Sequence, residues 1–215
     1  MPTVTPQQIQ QLVDRARRVH PPDATPSEAL GLAGLLRCAH LLEEMQVAHE
    51  HGADELVALG LRPIIETAIQ ALYYLIEPQQ WPRALVGDRN ERRKLAQRLG
   101  ADPARIDQQY EWLDQASGPL NLDQMATRVD QHRQGTQEGD MVQAYRLLYG
   151  TLSRRHQHGG FGAVEDYLGS NLAGIDLTPR PAPLLSGTDS LAIAVGLVDA
   201  LRKELLGVLR RRSLV

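Results

Sequence analysis

Several residue types are scarce in this chain of 215 residues, and each scarcity excludes a class of protein. Cys38 is the only cysteine, so the chain can form neither an intramolecular disulfide nor a zinc cluster built from cysteines. Aromatic residues make up 4% of the sequence, phenylalanine occurs once, and β-branched runs with period-two alternation are hard to find. We therefore expect no significant β-sheet.

Long apolar runs and a strong charge imbalance are also missing. The N-terminus lacks the basic and then apolar pattern of a secretory signal. In the C-terminal segment, the apolar stretch from Leu191 to Val198 is well short of the roughly 20 residues that span a bilayer. A net charge of −3 gives no global basic footprint for nucleic acid, although short basic clusters lie at 89–94, 154–155 and 210–212. These features predict a cytoplasmic protein with no membrane segment.

What the chain does contain is helix-forming residues and signals for helix starts. Alanine, leucine, glutamine and arginine are abundant. A capping residue precedes proline at Thr5-Pro6, Thr25-Pro26 and Asp102-Pro103, and these pairs predict three helix starts. Thr25 and Glu28 also have the spacing of a capping box. Apolar residues recur every three or four positions from Leu32 to Met45 and from Val57 to Ile76. The sequence thus predicts an all-α fold, a compact bundle of about six to eight helices.

The punctuation along the chain predicts one helical domain over residues 1–215. An N-terminal helix and linker occupy 1–24, and the helical core occupies 25–170. Three prolines at 179, 181 and 183 predict an extended connector at 171–187. The C-terminal helix follows at 188–212. Within the core, one helix is expected from Pro103 to Ser117. Another is expected after Asp140, with Tyr145 and Tyr149 turned toward the core.

Common enzyme and cofactor motifs are missing. No glutamate has a histidine three residues later, as di-metal bundles require, and no two histidines lie four apart. Phosphate-binding glycine loops and the Gly-x-Ser-x-Gly nucleophile motif are also absent. We therefore predict neither a bound metal nor a cofactor.

Two polar groups lie within the predicted helices. Arg37, His40 and Glu44 share one face of the second helix, as a surface ladder of hydrogen bonds or as the wall of a polar cleft. Arg62 and Glu66 lie one turn apart in a strongly apolar helix. They would form a structural ion pair, or Arg62 would reach a phosphate, for which its planar fork is suited.

A third group is the helix end at 153–160, which closes on two glycines. His156 and His158 have the residue type for proton transfer near neutral pH, and Arg154 and Arg155 can stabilise phosphate charge. Together they suit cleavage of an RNA phosphodiester. The alternative is a helix C-terminus enriched in cations because of the helix dipole and followed by a glycine cap.

Four short motifs carry a resemblance to a known family. They are Leu61-Arg62-Pro63-Ile64-Ile65-Glu66, Tyr73-Tyr74-Leu75, Tyr145-Arg146-Leu147-Leu148-Tyr149, and Leu152-Ser153 before His156 and His158. The sequence resembles a bacterial family catalogued as domain of unknown function 5677, over roughly Leu30 to Leu168. This resemblance implies a helical bundle and leaves the activity open.

The chain also has a more distant likeness to HEPN-type helical dimers, many of which are metal-independent ribonucleases of toxin and phage-defence systems. Those proteins carry an arginine, four to six residues and then a histidine, whereas Arg154 and His158 enclose three residues. The likeness implies a homodimer that binds or cleaves RNA in a bacterial toxin or defence system. The expected catalytic set is His156, His158, Arg154 and Arg155, and the expected substrate contacts are Arg62, Glu66, Ser153 and Tyr145.

Two other hypotheses remain open at the level of sequence. Because no catalytic set is complete, the chain could be an interaction or regulatory module whose last helix docks on a partner or on a second copy. Alternatively, His40, Glu44 and Glu66 could line a site for a small ligand or a metal ion.

Overall fold

The computed structural model describes residues 4–19, 21, 23–113, 118, 120–134, 140–149 and 185–213. Within these ranges the chain forms eight α-helices and no strand, which confirms the all-α prediction. The helices are α1 (Pro6–Arg17), α2 (Pro26–Glu50), α3 (Asp54–Ile76), α4 (Pro82–Arg98), α5 (Ala104–Gln109), α6 (Leu122–Gln134), α7 (Asp140–Gln143) and α8 (Gly187–Arg212). A π-helix, Ala144–Tyr149, continues α7.

Local signals fix where the first helices begin and end. In α1 and α2 the N-cap threonines, Thr5 and Thr25, form complete capping boxes with Gln8 and Glu28. After α2, Gly52 has a φ of 69°, a left-handed conformation that glycine adopts without steric cost. The predicted starts at Pro6 and Pro26 are therefore confirmed.

Helix α3 is the central element, and it packs against α2, α6, α8 and the π-helix. It continues past Pro63 without interruption and buries twelve side chains. The contact with α2 is close, because a Cβ at Gly34 would lie 2.6 Å from the Cβ of Ala71. The core thus forms where α2, α3 and α8 meet.

The apolar length of α3 also bears on the expectation that the chain has no membrane segment. By length and composition alone, α3 is the one described helix that could cross a membrane. More than half of its most apolar stretch is buried inside the protein, as in the core helix of a globular bundle. The cytoplasmic location stays a prediction.

Helix α7 and the π-helix are held against α6 by a buried carboxylate. Asp130 of α6 has no exposed surface and accepts hydrogen bonds from the backbone amides of Met141, at 3.2 Å, and Val142, at 2.9 Å. The first amides of a helix have no partner within the helix, so Asp130 satisfies two of them from outside. It thereby fixes the place at which the π-helix meets α3.

Two predicted helices differ from the structure. The helix expected from Pro103 to Ser117 is shorter, since α5 ends at Gln109 and a 3₁₀ turn follows at Glu111–Leu113. The helix expected after Asp140 begins there but changes to π geometry at Ala144. The helix end at 153–160 and most of the connector at 171–187 lie outside the described residues. The domain boundaries stay predictions.

Candidate functional site

The guanidinium of Arg62 lies between α3 and the π-helix. Its Nη2 donates a hydrogen bond of 3.0 Å to the hydroxyl of Tyr149, and its Cζ lies 4.7 Å from the centre of the Tyr149 ring. The other two nitrogens, Nε and Nη1, are shielded from solvent and have no hydrogen-bond partner within the described part of the chain. A shielded cation normally pairs with an acceptor, so these two donors are the candidate contacts for a negatively charged ligand.

The π-helix supplies the aromatic side of the site. Tyr145 and Tyr149 stack with ring centres 5.1 Å apart and an angle of 23° between the planes. Burial, and then the neighbouring Tyr149, Asp123 and Glu66, raise the pKa of Tyr145 above its usual value, so its hydroxyl stays protonated at neutral pH. π-Helices occur frequently at functional sites, and here one carries two aromatic rings to a cation.

An ion pair ties the π-helix to α6 beside these rings. Arg146 binds Asp123 with two hydrogen bonds, Nε to Oδ1 at 2.8 Å and Nη2 to Oδ2 at 3.3 Å. The hydrogen bonds from Arg146 hold the pKa of the Asp123 carboxyl below its usual value. The guanidinium of Arg146 is therefore occupied by the Asp123 carboxylate, and the unpartnered donors of the site are those of Arg62.

The structure brings three of the predicted substrate contacts to one junction. Arg62 and Glu66 lie on α3, and Glu66 is near enough to Tyr145 to affect its pKa. The predicted ion pair between Arg62 and Glu66 is not among the contacts of the described residues, because Arg62 turns to Tyr149 instead. Sequence reasoning placed Tyr149 in the core and missed its contact with Arg62.

The predicted catalytic set lies outside the described residues. This applies to His156, His158, Arg154 and Arg155, and also to Ser153. Their roles stay predictions.

The first polar group is a feature of the surface. Arg37, His40 and Glu44 are exposed, and His40 Nε2 lies 3.2 Å from Glu44 Oε1. The contact between His40 and Glu44 fits the surface ladder, and the described contacts do not link Arg37 to it. The described residues contain no cluster of three or more His, Cys, Asp or Glu side chains that could hold a metal ion. His40, Glu44 and Glu66 therefore do not form such a cluster, and a small-ligand site at these residues stays a prediction.

Two motif residues that carried the family resemblance belong to the core. Tyr73 and Tyr74 are at most 4% exposed, and their rings meet edge to face at 5.1 Å. Burial raises the pKa of Tyr74 to about 12. These residues stabilise α3, whereas Arg62 and Tyr149 form the site.

A comparison with protein families supports the resemblance seen in the sequence. The model of a family described as "Family of unknown function (DUF5677)" matches residues 28–175. No curated protein and no solved structure matches the chain. The HEPN-type likeness has no counterpart in these findings and stays a prediction.

Proposed function

We propose that this chain, which belongs to the DUF5677 family of unknown function, binds RNA through the junction of α3 and the π-helix. Arg62 holds a backbone phosphate, and Tyr145 contacts a base. The observation that supports this proposal is the pair of shielded, unpartnered nitrogens on Arg62. A phosphate supplies both the negative charge and the acceptor oxygens that these donors lack.

The neighbouring side chains suit a nucleotide better than a simple anion. Tyr145 is partly exposed and already stacked on Tyr149, and a base would extend this stack. Glu66 is partly exposed on the same junction and would accept a hydrogen bond from a ribose hydroxyl. The 2′-hydroxyl is the group that distinguishes RNA from DNA, so Glu66 would provide the preference for RNA.

The cleaving form of the proposal adds the residues that follow the π-helix in the sequence. His156 and His158 would transfer protons to and from the reacting oxygens, and Arg154 and Arg155 would stabilise the charge that develops on the phosphate. Ser153 would contact the same strand. A protein of this kind would act as a metal-independent ribonuclease of a bacterial toxin or defence system.

Binding is tested with the variant Arg62→Met, which removes the charge and keeps most of the side-chain volume. We expect the affinity for a labelled single-stranded RNA, measured by fluorescence anisotropy, to fall about tenfold or more, because a hydrogen bond to a charged group contributes roughly 1.5–3 kcal/mol. The slope of log K against log salt should become shallower by about 0.7, the value for one phosphate on a single strand.

Arg17→Met is the matched control, because Arg17 pairs with Glu43 on an exposed part of α1 and α2. This control should bind RNA as the wild type does. Arg62→Met should change the melting temperature little, since the removal of a shielded charge without an acidic partner offsets the lost hydrogen bond to Tyr149. Equal RNA affinity of Arg62→Met and wild type would refute the proposed site.

Glu66→Met separates RNA binding from general phosphate binding. The variant should lose affinity for RNA and keep its affinity for DNA of the same sequence, because methionine has no side-chain oxygen to accept a hydrogen bond from the 2′-hydroxyl. Equal losses for the two polymers would show that Glu66 does not select the sugar.

Cleavage needs its own measurement. The wild-type protein should cut an RNA pool in the presence of EDTA, and the double variant His156→Ala with His158→Ala should bind RNA without cutting it. If the wild type cuts no RNA, the cleaving form is wrong while the binding proposal is judged by Arg62→Met alone.

A further inference from the structure

Helix α8 turns a face of small residues away from the core. Its apolar residues, including Leu191, Ala194, Val198, Leu201 and Leu205, are buried. The opposite face carries Asp189, Ala192, Gly196, Ala200 and Lys203. Gly196 is exposed, and a Cβ at this position would have no atom of the described residues within 4 Å. The outer face is thus open at its centre.

A groove borders this face on each side. One, of about 520 Å³, lies between α8 and the end of α7 with the π-helix; its lining includes Met141, Leu147, Leu148 and Ile193. The other, of about 430 Å³, lies between α8 and α1. Gly196 lines both grooves, and Leu147 is 66% exposed. The exposed apolar side chains beside Gly196 make this face a candidate interaction surface.

The outer face of α8 is complementary to itself when two copies run antiparallel. A two-fold axis at Gly196 pairs Ala192 with Ala200 of the second copy and Asp189 with Lys203 of the second copy, because each pair is placed evenly about residue 196. Small residues at the crossing let two helix axes approach closely, and the outer pairs join opposite charges.

We propose that a second copy of this chain docks on the outer face of α8, antiparallel and centred on Gly196. Each α8 would then lie across the grooves of the other, and the exposed Leu147 would be covered. The helix has 26 residues, roughly 39 Å at about 1.5 Å per residue, so several turns on either side of the crossing can take part.

The charged residues at the two ends of the face, Asp189 and Lys203, can each make a further hydrogen bond to the second copy. Asp189 Oδ2 accepts a hydrogen bond of 2.7 Å from Ser186, which leaves its other oxygen for the partner. Lys203 Nζ lies 2.7 Å from Asp199 Oδ2, and an ammonium group has two further protons to donate. The pairing therefore adds contacts and breaks none.

The π-helix joins this surface to the RNA site. Leu147 and Leu148 line the groove beside α8, whereas Tyr145 and Tyr149 stack at the junction with α3. A dimer would place two RNA sites in one particle. The dimer does not depend on the RNA proposal, and its test needs no RNA.

Sedimentation equilibrium of the full chain over a range of concentrations tests the inference. The wild type should show a monomer–dimer equilibrium, and Gly196→Leu should weaken dimerisation at least tenfold. A Cβ at position 196 would meet no atom of the described residues within 4 Å, so we expect the variant to fold. The matched control is Gly118→Leu, because a Cβ at exposed Gly118, outside α8, likewise meets no described atom within 4 Å.

A charge exchange tests the antiparallel register. Lys203→Glu should weaken the dimer, because it sets two acidic side chains against each other at both ends of the crossing. Adding Asp189→Lys should strengthen the dimer again. The inference is overturned if the wild type stays monomeric at its highest soluble concentration, if Gly196→Leu dimerises like the wild type, or if the double exchange recovers nothing.

Discussion

Replacing Asp130 with alanine should loosen the π-helix from the bundle. The carboxylate has no exposed surface, and it accepts hydrogen bonds from the backbone amides of Met141 and Val142 at 3.2 and 2.9 Å. Alanine leaves both amides without this acceptor at the start of α7. Because the π-helix continues α7, Tyr149 would also lose its fixed position over Arg62.

The size of the effect follows from the two hydrogen bonds. Each bond to a charged acceptor contributes about 1.5–3 kcal/mol, so their loss should lower the free energy of unfolding by about 3 kcal/mol at the low end. For a chain of this length, that corresponds to a fall in melting temperature of roughly 6–12 °C. Circular dichroism at 222 nm during heating measures the fall directly.

Asp123→Ala is the comparison. Asp123 lies on the same helix and forms an ion pair with Arg146, but its side chain is 38% exposed. An exposed pair contributes about 1 kcal/mol or less, so this variant should melt within a few degrees of the wild type. If the two variants lose similar stability, the buried carboxylate does not fix the π-helix and the reasoning is refuted.

Three further predictions concern the core and α8. Burial raises the pKa of the Cys38 thiol to about 12, so a thiol reagent at pH 8 should label it only as the protein unfolds; rapid labelling of native protein would contradict this. Burial also raises the pKa of Tyr74 to about 12. Because the Cys38 thiol and the Tyr74 hydroxyl both keep their protons to a higher pH in the folded state than in the unfolded state, their contribution to the free energy of unfolding should be complete below about pH 9 and lost as the pH rises towards 12. Denaturant titrations at a series of pH values measure this loss. Gly34→Ala should destabilise the protein by about 1–3 kcal/mol, because the new Cβ would clash with Ala71. Gly196→Ala should stabilise the monomer by about 0.5–1 kcal/mol, because alanine favours the helix more than glycine does. Thermal melts at low protein concentration compare the two variants.

Local signals account for what the sequence predicts well. A capping box involves residues three apart, so the pattern of Thr25 and Glu28 contains the whole interaction that begins α2. The apolar spacing in α3 likewise predicts a buried face, because a helix turns by a fixed angle at each residue. These features depend little on the rest of the fold.

The site depends on contacts between distant segments, and the sequence predicts it only in part. The spacing of Arg62 and Glu66 favours an ion pair along the helix, but Tyr149, 87 residues away, takes the guanidinium instead. The spacing of Tyr145 and Tyr149 is that of an α-helix, so nothing in it indicates π geometry. The structural partner of Arg62 could therefore not be read from its own helix.

The same limit applies to α8. Its periodicity predicts which side faces the core, but not which neighbours flank the other side. The grooves beside Gly196 arise because α1 and the π-helix stop short of the outer face, and no single segment carries that information.

Binding of RNA by Arg62 is tested most directly by the ¹H–¹⁵N signal of the Arg62 Nε group, assigned by its loss in Arg62→Met. This donor is shielded and unpartnered in the described part of the chain, so a short single-stranded RNA should move its proton signal downfield as a phosphate oxygen accepts the hydrogen bond. The signal of Arg17 should stay in place during the same titration. An Arg62 signal that does not move while RNA binds would contradict the account.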